Sequence, residues 1–145
     1  MATIGVDCEI ILDNQGYFIV PESYIIKQPR ISKAQYRADG SLSYVDVGPG
    51  KREFLMTVLA KPNLLKYDGT DTGITGETYR SNLRSSYTSN IAATIVFKDP
   101  TNTSINVYFA HYQEKILDLK SQIIALSTGG SLAGSYECAI ELLEA

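Results

Sequence analysis

The chain has 145 residues, with 13 Lys and Arg against 16 Asp and Glu, a formal net charge of −3, one histidine and no tryptophan. That length fits a single domain, 1–145, with interior enough to need no disulfide staples, and so even a charge balance leaves no basic stripe for nucleic acid to dock on. No apolar stretch nears the ~20 residues of a membrane span, and the N-terminus lacks a basic region followed by an apolar block, so a chain made in a cytosol is expected.

Alternation of period two dominates the chain. In "GVDCEIIL", Val6, Cys8, Ile10 and Leu12 share one face, while Asp7 and Glu9 share the other. The final segment, "SYECAIELLEA", repeats the device, with Tyr136, Cys138, Ile140 and Leu142 inward and Glu137 and Glu141 outward. Two such half-buried strands at the chain ends suit a closed antiparallel fold in which they could pair. Cys8 and Cys138 are too far apart to form a spaced metal motif and are expected as reduced, buried thiols acting as small hydrophobes.

Next comes the extended run "SYIIKQPRISKAQYR", in which Pro29 cannot donate a ladder hydrogen bond and marks an edge or bulge. "QYRADGSLSYVDVG" reads as a hairpin turning at Asp39-Gly40, with the positive φ values of a type I′ turn. Its arms carry Tyr36, Leu42, Tyr44, Val45 and Val47, more apolar area than a solvated hairpin needs; these five are the candidate subunit-interface residues, the other reading being an ordinary hairpin packed on its own sandwich. After Gly48-Pro49-Gly50, "REFLMTVLA" is apolar on both faces and predicts a strand either central in a sandwich or covered by a helix.

Residues 61–76, rich in Gly, Asp and Thr, read as a connecting loop. A short helix over about 76–88 follows, with Thr75 as N-cap, Glu77 in the first turn, and Tyr79, Leu83 and Tyr87 at i, i+4 and i+8. Arg80 and Arg84 occupy the neighbouring stripe. "AATIVFK" is a strand, "DPTNTS" a turn, and a long extended run from about 104 to 119 places Ile105, Val107 and Phe109 on one face, which His111 extends. "EKILDLKSQIIALS" fits strand or helix equally, and "TGGSLAGS" (128–135) is a loop before the last strand.

Candidate chemistry is sparse. His111, the only histidine, has no partner constellation in the sequence and reads as a strand-end residue rather than a general base. Asp68 and Asp71 in "YDGTDTG" lack the ligand series of a calcium loop, and "GPGKRE" lacks the ending of a phosphate loop. "STGGS" is no nucleophile elbow, and the outward glutamates are ordinary solvent-facing acids. No catalytic, metal or cofactor-binding residue is therefore assigned. The compositional excess is tyrosine, ten residues, a side chain favoured at interfaces.

From about residue 32 to the end, "YRADGSLSYVDVGPGKREFLMTVLA", the helix "ETYRSNLRSSY", "TIVFKDPTNTSINVYFAHYQEKI" and "YECAIELLEA" together resemble small tail-tip proteins of long-tailed bacteriophages. These are the minor tail protein M type and the N-terminal domain of the distal tail protein family. Residues 1–30 lie outside this stretch and are expected as an added strand or contact arm. The resemblance implies a mainly β protein: an antiparallel β-sandwich or barrel, tail-tube-like, with one flanking helix. It implies a non-enzymatic subunit of a hexameric ring, joining the tail tube to the tip or baseplate hub. Partners would be copies of itself, the tube protein and hub proteins of the same virion, assembled in the host bacterial cytoplasm. A carbohydrate-binding β-sandwich module and a capsid decoration protein are the competing expectations.

Overall fold

The computed structural model describes residues 2–129 and 134–145. Nine strands and two helices run in the order β1 (Ile10–Leu12), β2 (Gln15–Ile19), β3 (Ile25–Lys27), β4 (Arg30–Tyr36), β5 (Leu42–Pro49), β6 (Glu53–Ala60), α1 (Gly76–Ser89), β7 (Ile95–Lys98), β8 (Ser104–Ile116), α2 (Leu119–Ser127) and β9 (Tyr136–Glu144). A seven-stranded antiparallel sheet has the order β2-β1-β7-β8-β9-β6-β3, and β2 also pairs with β6 through Phe18↔Leu59 and Ile19↔Val58. That extra pairing closes every strand of the sheet except β3 into a barrel; β3 hangs on β6 as an edge. Closure satisfies backbone groups that an open sheet would leave free.

The core follows from alternation. Phe54, Met56, Val58 and Ala60 of β6 point inward and meet Tyr136, Cys138, Ile140 and Leu142 of β9, paired residue by residue from Glu53↔Leu143 to Ala60↔Tyr136. The opposite face of β6, with Leu55 and Leu59, is half-buried. Helix α1 forms where its local signals predict it: Thr75 Oγ1 accepts the Thr78 amide at 3.2 Å, and Tyr79 and Leu83 enter the same core cluster. The helix packs across β6, β8 and β9. Both cysteines are free and buried, and burial pushes each thiol up to about 11.

The structure departs from expectation at several points. Residues 3–8 are not strand: Gly5, at φ +84°, starts a tight turn in which the Val6 and Asp7 amides both donate to the Thr3 carbonyl, and Val6 is exposed. The chain ends do not pair with each other, because β1 lies between β2 and β7 whereas β9 lies between β6 and β8. Within residues 1–30 lie β1 and β2, whose Ile10, Leu12 and Tyr17 are fully buried. The type I′ turn falls at Asp13-Asn14, both at positive φ, joining β1 to β2.

Two further differences concern β8 and its continuation. A bulge at Ala110 (Phe109 faces Leu142, His111 faces Glu141) shifts the alternation, so His111 turns outward and Tyr112 inward. The ambiguous segment after Lys115 divides: β8 ends at Ile116, and a second helix, α2, follows in place of the single helix expected. The loop predicted at 128–135 has its residues 130–133 outside the described residues. No helix among the described residues is long and apolar enough to cross a membrane.

Candidate assembly interface

The five candidate interface residues all lie on one projecting element. Strands β4 and β5 form a separate two-stranded sheet. Every residue of β4 is exposed, as are all but Ser43 and Gly48 of β5. At ~3.3 Å per residue, an eight-residue strand gives an arm of about 25 Å. Its base is fastened by polar contacts: Gly50 N–H donates to the Pro29 carbonyl at 2.6 Å, the Gln28 amide donates to the Gly50 carbonyl at 3.1 Å, and Arg30 pairs with Asp46.

The tip is not the expected two-residue turn. Arg37 N–H donates to the Ser41 carbonyl at 2.7 Å and Gly40 N–H to the Arg37 carbonyl at 3.0 Å. Only Gly40 takes positive φ, +87°, so Ala38-Asp39-Gly40 is a three-residue loop: a type I turn closed by a left-handed glycine. Asp39 Oδ1 accepts the Ser41 amide at 2.9 Å and its hydroxyl at 2.6 Å; these bonds hold the Asp39 carboxyl below its ordinary range.

Register divides the five residues between two faces. Tyr36↔Leu42, Ala34↔Tyr44 and Ser32↔Asp46 alternate with Gln35↔Ser43 and Lys33↔Val45. Cross-strand partners share a face, so Tyr36, Leu42, Tyr44 and Ala34 form one apolar surface, while Val45 stands with Lys33 on the other. Val47 is the extra residue of a bulge, because Ile31 faces Gly48 and Ser32 faces Asp46. Tyr36 and Val47 are the most open, at 78% and 77% exposure.

The sequence did not reveal a second surface. Helix α2 buries one residue, and that residue is polar: Gln122, 7% exposed. Its amide donates to Asp118 at 3.2 Å and its carbonyl accepts the Tyr136 hydroxyl at 3.1 Å. Tyr136 also donates to Glu77 of α1, and Arg80 lies 4.4 Å over the Tyr136 ring. Leu119, Ile123, Ile124 and Leu126 of α2 are all more than half exposed. The helix is inside out: amide inward, aliphatic side chains outward. Its period is helical, but a reader who equates apolar with buried cannot orient it.

Beside this anchor, Glu114 on β8 is shared by α1. Arg84 donates to it at 2.8 Å through Nη2, the Tyr112 hydroxyl donates at 2.6 Å, and Arg80 approaches to 3.9 Å. Burial pushes the Glu114 carboxyl up, but the Arg84 and Tyr112 bonds and both guanidinium charges outweigh it and hold the group below its ordinary value. These bonds fix α1 to the barrel.

The remaining candidates are scattered. Asp68 accepts from the Thr70 amide and hydroxyl and Asp71 from the Gly73 amide, which is turn chemistry. Glu9 accepts from the Ile19 amide and the Tyr67 hydroxyl; Glu137 and Glu141 face Lys115 and His111 across the β8–β9 ladder. Among the described residues, no group of three or more His, Cys, Asp or Glu side chains is placed to hold a metal ion. An open hollow of about 470 Å³ beside the β1–β2 turn is lined by Asp7, Asn14, Lys66, Thr72 and Tyr79, and Lys66 pairs there with Asp7 at 3.4 Å.

No family model and no curated protein matches this chain.

Proposed function

We propose that this chain is a structural subunit that works by assembling through its β4–β5 arm. Specifically, it would be a virion protein of a long-tailed bacteriophage, forming a ring at the distal end of the tail between the tube and the tip hub. The observation that carries the reading is the arm itself. A ribbon with nearly every residue in water keeps Ile31, Tyr36, Leu42, Tyr44, Val45 and Val47 half or more exposed. Side chains of that size offer ~100 Å² or more apiece, so the arm approaches the ~800 Å² per partner of a stable interface. A monomer seldom displays such a surface without use for it. Placement at the tail tip draws on the sequence resemblance, as does the number six; the arm supports assembly in general.

The test is sedimentation velocity of the full chain across a concentration series, with electron microscopy of the assembled fraction. Rings are expected for the native protein. Tyr36→Ser with Tyr44→Ser, which strips the apolar face of the arm, should weaken association at least tenfold. Melting should stay within about 0.5 kcal/mol per site, the usual range for exposed positions. A native chain that stays monomeric at high concentration overturns the reading, as does a double variant that assembles normally.

A further inference from the structure

We infer that the exposed aliphatic face of α2 is the seat for the β4–β5 arm of a second copy of this chain. The inference rests on the reading of the arm as an assembly element and names the surface that the arm would meet.

Four observations lead there. First, Leu119, Ile123 and Leu126 recur at i, i+4 and i+7 and form one stripe on α2, joined by exposed Ile116 and Leu117 just before the helix. Ile124 flanks this stripe. Six aliphatic side chains exposed by 37% or more make a patch of several hundred Å², on the scale of the arm's apolar face. Second, the stripe itself is aliphatic, bordered by exposed Lys120, whereas the arm supplies two tyrosines, Tyr36 and Tyr44, on one face. Tyrosine anchors seated in a desolvated apolar surface are a common energetic centre of an interface.

Third, the arm and the body differ in net charge. Segment 25–50 carries Lys27, Arg30, Lys33 and Arg37 against only Asp39 and Asp46, while the whole chain has 13 bases against 16 acids. The projecting segment is therefore net basic and the body net acidic, which draws the arm of one copy toward the body of another. Helix α2 itself carries only Lys120 beside its cap Asp118, so the apolar match and not charge selects the seat. Fourth, both surfaces are exposed in the single chain, so neither covers the other. Two different, mutually complementary patches on one chain make a head-to-tail contact, the kind that generates rings when the rotation closes. A self-packing patch would give only a two-fold pair.

Cysteine pairs and a short bismaleimide cross-linker test this, since native Cys8 and Cys138 are buried. The protein is prepared as L42C, as I123C, and as an equimolar mixture of the two. Cross-linked dimers are expected in the mixture and not in either variant alone. Dimers from I123C alone would assign the helix face to its own twin, and dimers from L42C alone would pair arm with arm; either overturns the inference. So does an assembling mixture that yields no cross-link, which would leave the helix to a different partner. In parallel, I123E should weaken association at least tenfold with an unchanged melting curve. If I123E assembles normally while the tyrosine-stripped arm does not, the inference falls and the assembly reading stands. If the native chain never assembles, the assembly reading itself has failed.

Discussion

Glu144 offers a sharp test of how the barrel is fastened at its C-terminal strand. Its carboxylate takes Arg52 from two sides: Nη2 at 2.7 Å and Nε at 3.3 Å to one oxygen, and the Arg52 amide at 3.1 Å to the other. The Glu144 amide returns a bond to the Arg52 carbonyl at 2.9 Å, and the Arg52 guanidinium rests 5.3 Å over the Phe54 ring. The guanidinium and amide bonds lower the Glu144 carboxyl from 4.5 to about 2. Fully realised, such a shift would be worth about 3 kcal/mol. The side chains are 34% and 20% exposed, so screening at the rim leaves about 1 kcal/mol. The sign follows from linkage. A carboxylate with a depressed native pKa contributes stability that is present above its unfolded value and lost as pH falls through its folded value. Glu144→Gln should therefore melt about 3 °C below the native protein at pH 7. Melting curves by circular dichroism from pH 7 to pH 2 should show this gap closing between pH 4.5 and about 2. A gap that persists unchanged at pH 2, or none at pH 7, would refute the argument.

Gly76→Ala should destabilise by about 3 kcal/mol or more, because its Cβ would lie 2.1 Å from the Gly134 carbonyl oxygen and 2.5 Å from that of Ala60, backbone atoms that cannot step aside; denaturant unfolding measures it, and a neutral variant would mean that α1 starts elsewhere. Leu83→Ala, which opens a void under α1, should cost about 2–5 kcal/mol in the same assay, whereas an effect below ~1 kcal/mol would show the helix to be only loosely seated. Both thiols should react slowly with a thiol reagent at pH 8 in the native protein and fully after denaturation; fast native labelling would mean that the barrel opens readily.

What the sequence made legible was what local chemistry decides. Thr75, Glu77 and the Tyr79–Leu83 stripe specify α1 within a dozen residues, and its start matches to within a residue. Strand β9 was readable from its alternating apolar face and β6 from a run of strand length that is apolar on both faces. Partner strands decided the rest. Whether Asp39-Gly40 or Asp13-Asn14 forms the two-residue turn depends on which flanking residues pair, Arg37 with Ser41 or Leu12 with Gln15. The outward turn of His111 depends on a bulge that exists only because β9 offers one residue fewer than β8. The five interface candidates lie on one hairpin, and the pairing register divides them between its faces, with the bulge setting Val47 apart. Helix α2 stayed ambiguous because its aliphatic residues do not face the core of their own chain.

The distribution of backbone edges leads to the same part of the molecule as the exposed side chains. Closure through β2 and β6 gives each barrel strand a neighbour on both sides over part of its length, although β8 beyond Val107 has only β9. The strands with one side unpaired along their whole length are β3, at the end of the sheet, and β4 and β5, which have only each other. All three fall between residues 25 and 50. Unpaired edges are hazards that proteins ordinarily blunt, with charges, proline or bulges. Here the base of the arm has all three: Pro29 and Pro49, the Arg30–Asp46 pair, and the bulge at Val47. The outer half, from Lys33 to Tyr36 and Leu42 to Val45, has Lys33 as its one charge in the strands. On the proposed reading of the arm as an assembly element, protection at its root would direct association to its outer half. This is why a substitution at Tyr36, Leu42 or Tyr44 should alter assembly, while one at Arg30 or Asp46 should alter the pose of the arm.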